Sequence, residues 1–169
     1  MLELYKPQMK DLWFREKFMS DEATMAYNPT WGGTIPFPDS EGQDWSDHWV
    51  LCNGGMRYYR YLKDSDTGEF VGEIACHFDE RRKIWLADII IAAVYRGRGY
   101  GQQGLKMLCS LAAEKGIDVL YDDIAIDNPA ISLFVENGFV EEYRTDEIIM
   151  LKKVLRGKEH AETAARVKI

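Results

Sequence analysis

Three features of this 169-residue sequence predict an α/β fold: a mixed, mostly antiparallel sheet covered by helices on both faces, with one parallel strand–helix–strand unit. From Arg57 onward, three segments rich in alternating apolar residues are separated by tight turn signals, the pattern of an antiparallel meander. The third of them runs into "IIIAAVYRGRGYG" (89–101), where an apolar run gives way to three glycines in five positions and then to a helical pattern. A further apolar segment, "DVLYDDIAI", follows that helix. A crossover of this length joins parallel strands, and a sheet containing such a unit is covered on both faces.

Each element has its own signal. "LELY" alternates as a short strand and stops at Pro7. Residues 9–19 have a helical pattern, and Ser20 followed by Asp21 and Glu22 reads as the cap and acidic first turn of a second helix. Residues 28–47 contain three prolines and three glycines, so most of this stretch is expected to be a loop. A loop that long is more often functional than filler. "RYYRYLK", "EFVGEIACHF" and "KIWLADIIIA" then form the meander. A symmetric hairpin turn at Arg81 would set Ala75 opposite Asp88, Glu73 opposite Ile90 and His77 opposite Leu86, with Glu73, His77 and Asp88 on one face.

After the glycine loop, Leu105, Leu108, Cys109 and Ala112 mark the buried stripe of a helix that ends near Gly116. Asn128 reads as the cap of a short helix with Pro129 at its first position and Gly138 just past its end. "FVEEYR" and "EIIMLKKVL" complete the set as an antiparallel pair. Residues 1–154 are thus expected to form one domain and 155–169 a charged C-terminal tail.

Composition narrows the functional classes. A net charge of -7 disfavours a nucleic-acid partner, which needs a basic surface, and favours a cationic one. Three scattered cysteines among apolar residues suggest buried, reduced thiols and a cytoplasmic protein. Three histidines without close Cys/His pairs predict no metal site. No run approaches membrane-spanning length, and the first residues lack a basic-then-apolar pattern.

The glycine loop carries the chemistry. Between a strand and a helix it gathers N–H groups with no intrahelical partner at the positive end of a helix dipole, a setting that binds phosphate. Arg96 and Arg98 add full charges able to grip a phosphate through two donors. Gly99 to Gly104 also satisfy G-x-G-x-x-G, with Asp122 about twenty residues on, as a dinucleotide site requires. That reading needs two mononucleotide-binding halves, and the remaining chain holds one. A non-catalytic module binding CoA or a nucleotide is a further alternative.

Arg96-Gly97-Arg98-Gly99-Tyr100-Gly101 resembles the R/Q-x-x-G-x-G/A signature of the GNAT superfamily of N-acetyltransferases, and "DNPAISLFVENGF" (127–139) is similar to that family's second motif. The resemblance covers roughly residues 55–154. It implies transfer of the acetyl group of acetyl-CoA directly to a primary amine of a small molecule or a peptide N-terminus, without a metal. Arg96 through Gly101 (Arg96, Gly97, Arg98, Gly99, Tyr100, Gly101) would then cradle the pyrophosphate. The backbone from Ile91 to Ala93 would pair with the pantetheine arm, Asn128 would touch that arm, and an N–H near Ile91 would serve the oxyanion.

An ammonium must lose a proton before it can attack, so a base is needed. Asp88 is the first candidate, as the one carboxylate in an apolar strand and with a pKa expected to be raised. Glu73, directly or through water, is the second, and His77 the third. Many members of the family carry a tyrosine four residues before the glycine of "NGF", where it protonates the leaving thiolate. This chain has Phe134 there, so the proton donor is open, with Tyr121 and Tyr143 as substitutes. Asp39, Glu41, Asp44 and Asp47, interleaved with Trp45 and flanked by Phe37 and Trp49, read as a solvated acidic face over packed aromatics. The same residues would also suit a cationic amine such as a polyamine or amino sugar. A homodimer through the C-terminal strands fits such a fold.

Overall fold

The computed structural model describes residues 1–27, 29, 33–37, 39–52 and 54–155. Strand β1 (Leu2–Tyr5) leads through a 3₁₀ turn at Met9–Asp11 into helix α1 (Trp13–Met19). Helix α2 (Glu22–Met25) follows at once; its cap is Asp21, whose side chain accepts from the Thr24 N–H, and not the expected Ser20, whose hydroxyl donates back to the Glu16 carbonyl. The segment 9–19 is therefore a 3₁₀ turn plus a helix, not one continuous helix.

Helix α3 (Gly42–Trp49) corrects the loop assignment for residues 42–47. Its aromatics decide the matter. Trp45 meets Tyr59 at 4.8 Å and Phe37 at 5.4 Å between ring centroids, so tertiary packing holds a helix that composition does not announce. Residues 28, 30–32 and 38 of that expected loop lie outside the described residues, as does the charged tail from residue 156.

The meander forms as predicted: β2 (Arg57–Asp64), β3 (Phe70–Asp79) and β4 (Ile84–Ile91) pair antiparallel in order. The register is the expected one, with Glu73 opposite Ile90, Ala75 opposite Asp88 and His77 opposite Leu86. Helix α4 (Tyr100–Glu114) then crosses over to β5 (Val119–Ala125), which lies parallel to β4. Helix α5 (Ile131–Glu136) precedes the antiparallel pair β6 (Val140–Arg144) and β7 (Ile148–Val154). Among the described residues the sheet order is β1-β2-β3-β4-β5-β7-β6, with a single parallel pair. A dinucleotide fold needs two parallel halves, so that alternative falls.

Two cores sandwich this sheet. Leu105, Leu108, Cys109 and Ala112 of α4 are buried with Ile74, Cys76, Ala87, Leu120, Ile124 and Phe134 on one side. Phe14 and Phe18 of α1 pack with Tyr59, Tyr61 and Ala75 on the other. Cys76 and Cys109 are buried free thiols as expected, whereas Cys52 is only partly buried. Among the described residues no helix is long and apolar enough to cross a membrane. No cluster there of three His, Cys, Asp or Glu side chains could hold a metal ion.

Candidate active site

The parallel pairing of β4 with β5 is confined to two rungs, Trp85 with Leu120 and Leu86 with Tyr121. Beyond them β4 continues to Ile91 and β5 to Ala125, each without the other as partner. The sheet therefore splits, and a cavity of about 680 Å³ opens between the strands. One wall is Ala87 to Ile91, the other Asp122 to Ala125; Asn128 to Ala130, Leu133 and Phe134 close one side, and Tyr27 lies across it. Arg96, Gly97 and Gly101 stand at the loop end.

Local chemistry builds that end. Gly97 and Gly99 have φ of 76° and 79°, a region that side chains with a Cβ rarely adopt. Gly99 is the N-cap of α4 and offers no side-chain cap, so N–H groups of the first turn remain available to a ligand. Gly101 lets α5 close in, since a Cβ there would lie 3.3 Å from Leu133 Cδ2.

The predicted loop residues divide. Arg96 lines the cavity, but its guanidinium donates to three backbone carbonyls: Ile91 at 3.0 Å, Ala23 at 3.2 Å and Thr24 at 2.6 Å. It clamps α2 and the end of β4 to the loop. The Ala93 N–H, expected to meet a pantetheine arm, donates to Thr24 Oγ1 at 2.9 Å. Ala93, Arg98, Gly99 and Tyr100 do not line the cavity. Arg98 is exposed and lies 5.6 Å from the Tyr95 ring, and the Tyr100 hydroxyl donates to Asp64.

Asn128 lines the cavity while its side chain accepts from the Ala130 N–H, a local turn just ahead of α5, whose N-cap is Ala130. Phe134 is buried and meets Phe139 at 5.0 Å, edge to face. Neither Tyr121 nor Tyr143 reaches the cavity, and Tyr143 is exposed on the edge strand.

Asp88 stands at the cavity wall, 49% exposed, so its apolar strand does not bury it as expected. His77 Nδ1 lies 3.2 Å from its Oδ2, and the Trp49 ring lies edge-on to His77 at 5.5 Å. Glu73, on the same face, is buried and away from the cavity lining. Its carboxylate accepts from Arg15 at 2.6 and 2.8 Å and from the Tyr59 hydroxyl. Burial pushes this carboxyl up, against the pull of Arg15. Arg15 itself lies 4.5 Å from the Trp45 ring, with Phe37 and Tyr59 each at 5.6 Å. Trp45 of α3, with Phe37 and Tyr59 of β2, thus encloses a cation of the chain itself, while Glu41, Asp44 and Asp47 point to solvent.

Two cavity residues had no functional signal in the sequence beyond the discarded dinucleotide pattern. Tyr27 arrives from the α1–α2 end of the chain; burial first, then Glu73 and Asp88, raise its hydroxyl pKa. Asp122 faces the cavity from β5, and desolvation, followed by Asp88 and Asp123, holds its carboxyl well above the usual range.

A split mixed sheet whose cleft ends in a glycine loop at a helix N-terminus defines a class of acyl-group transferases. The profile of the Acetyltransferase (GNAT) family matches residues 12–139, and the chain belongs to that family. A search of curated proteins finds no match to the sequence. Among solved structures, the chain is similar to a spermidine N-acetyltransferase from Vibrio cholerae crystallised with CoA and spermine. The two share 18% identity, with a TM-score of 0.76 over 91% of this chain and 95% of that one. It is also similar to a putative phosphinothricin N-acetyltransferase, at 20% identity and a TM-score of 0.69 over 93% and 100% of the two chains. An N-acetyltransferase from Staphylococcus aureus Mu50 gives 18% and 0.72 over 92% and 99%.

Proposed function

We propose that this protein transfers the acetyl group of acetyl-CoA to a primary amine of a small cationic molecule, with Asp88 as general base. The split between β4 and β5, ending at the N-terminus of α4, carries the reading. The pyrophosphate binds the N–H groups of the loop, with Arg98 as the exposed cation and Arg96 holding the loop in shape. The pantetheine arm adds to the free edge of β4 from Ile89 to Ile91, as a strand would. Three extended residues span about 10 Å, which brings the far end of the arm from Ile91 down to Asp88.

The amine enters on the face of Asp88, His77 and Trp49. Asp88 takes a proton from it, and His77 stands beside Asp88 to orient it or pass the proton on. The lone pair attacks the thioester carbonyl, and a backbone N–H of the β4 edge stabilises the oxyanion. Glu73 serves as the buried partner of Arg15 and shapes this face instead of acting as base. The cationic preference rests on the net charge of -7 and on the carboxylates of the cleft. The likeness to an enzyme crystallised with spermine agrees with it.

Titration calorimetry with acetyl-CoA, NAD and ATP tests the donor. Micromolar binding of acetyl-CoA alone is expected, and no binding of it overturns the proposal. Turnover assays with spermidine and with phosphinothricin then set a polyamine against an amine that carries acidic groups.

A further inference from the structure

Phe134 has no proton to give, so the leaving thiolate needs another donor. Strand alternation places the candidates. Asp88 is opposite Ala75 and so stands on the face of the sheet that packs on α1. Asp122 is opposite Leu151 and lies between Leu120 and Ile124, all three in the other core with Phe134. It is also the first β5 residue past the last rung shared with β4, at the vertex of the cleft. Two carboxyl groups thus enter the vertex from opposite faces.

We infer that Asp122 is the catalytic acid of this enzyme, handing a proton to the CoA sulfur from the face that Phe134 leaves without a donor; this rests on the acetyl-CoA reading above. The side chain has no hydrogen-bond partner among the described residues, so its proton is uncommitted. Its surroundings keep that proton in place. Leu133 and Phe134 of α5 and Leu151 of β7 are apolar, and the charges that reach it, Asp88 from β4 and Asp123 from β5, are both negative. Two carboxyls whose environments differ divide acid from base. Tyr27, the other hydroxylic group of the cavity, is coupled to Glu73 and Asp88 on the acceptor face.

The step balances. The ammonium first releases one proton to solvent through Asp88; the resulting amine nitrogen bonds to the carbonyl carbon and its second proton goes to Asp88. The C–S bond breaks with its electron pair on sulfur, and sulfur takes the proton of Asp122. The products are the amide and the free thiol. One proton then passes through solvent from Asp88 to Asp122 and restores both groups.

The test is Asp122→Asn, which keeps shape and removes the acid. Acetyl-CoA binding by calorimetry is expected to be unchanged, while kcat falls roughly 10²- to 10³-fold and the basic limb of its pH profile disappears. In wild-type protein labelled with ¹³C-aspartate, the carboxyl resonance missing from the variant should titrate well above the ordinary aspartate range. The variant enters that measurement only to assign the resonance. Asp122→Asn with normal kcat and an intact basic limb, or a resonance titrating at the ordinary value, overturns the inference while leaving the acetyltransferase reading standing. Failure of the wild-type protein to bind acetyl-CoA overturns both.

Discussion

Asp88 and Glu73 share a face of the sheet and differ in everything that matters to a base. Asp88 is half exposed at the cleft and meets His77, whereas Glu73 is tied up by Arg15 and Tyr59. Asp88→Asn is therefore expected to lower kcat roughly 10²- to 10⁴-fold with acetyl-CoA affinity unchanged, as read by steady-state kinetics beside calorimetry. Glu73→Gln is expected to act on stability instead. Removing one partner of a buried ion pair leaves the other uncompensated, at about 3–5 kcal/mol, and here the Arg15 Nε already has no hydrogen-bond partner among the described residues. Urea denaturation should show Arg15→Met and Glu73→Gln each losing this much and the double variant losing less than their sum. Strict additivity would mean that the pair is not coupled.

Among the elements, the free edge of β4 depends on what holds the strand from both sides. Gly72 of β3 lies against it so closely that a Cβ would sit 2.3 Å from the Ile90 carbonyl oxygen. Gly72→Ala must push β4 toward the cleft; a loss of about 1–3 kcal/mol and weaker acetyl-CoA binding are expected together. The two loop arginines separate in the same way. Arg96→Ala removes the clamp between α2 and the loop, so both Tm and acetyl-CoA affinity should drop. Arg98→Ala removes an exposed charge, so affinity should drop at low salt with Tm unchanged. Equal effects on Tm would contradict the division of roles.

At the scale of the whole molecule, an acid desolvated by the fold costs stability that depends on pH. The Asp122 carboxyl is held above its usual range, so the unfolded chain loses this proton first as pH rises. Between the ordinary aspartate pKa and the raised one, the native state binds more protons and stability falls with increasing pH. Asp122→Asn should therefore be more stable than wild type near neutral pH, and the gain should vanish below about pH 4, where both forms are neutral. Thermal melts across that range measure it.

Much of this protein is legible in its residues alone. The alternation from Arg57, the turn at Arg81 and the glycines at 97, 99 and 101 set the strands, the β3–β4 register and the anion loop, because these follow from local sterics and period. Helix α3 was not legible, since its helical form depends on Trp45 meeting Tyr59 and Phe37 from elsewhere in the chain. The same holds for Arg96, whose sequence context suggests a phosphate ligand and whose partners, Ala23 and Thr24, are some seventy residues away. Tyr27 and Asp122 meet in one cavity only because the sheet splits after Leu86. The sequence determined which residues could do chemistry; the tertiary structure decided which are free to do it, because hydrogen-bond partners and desolvation are set by contacts distant in the chain.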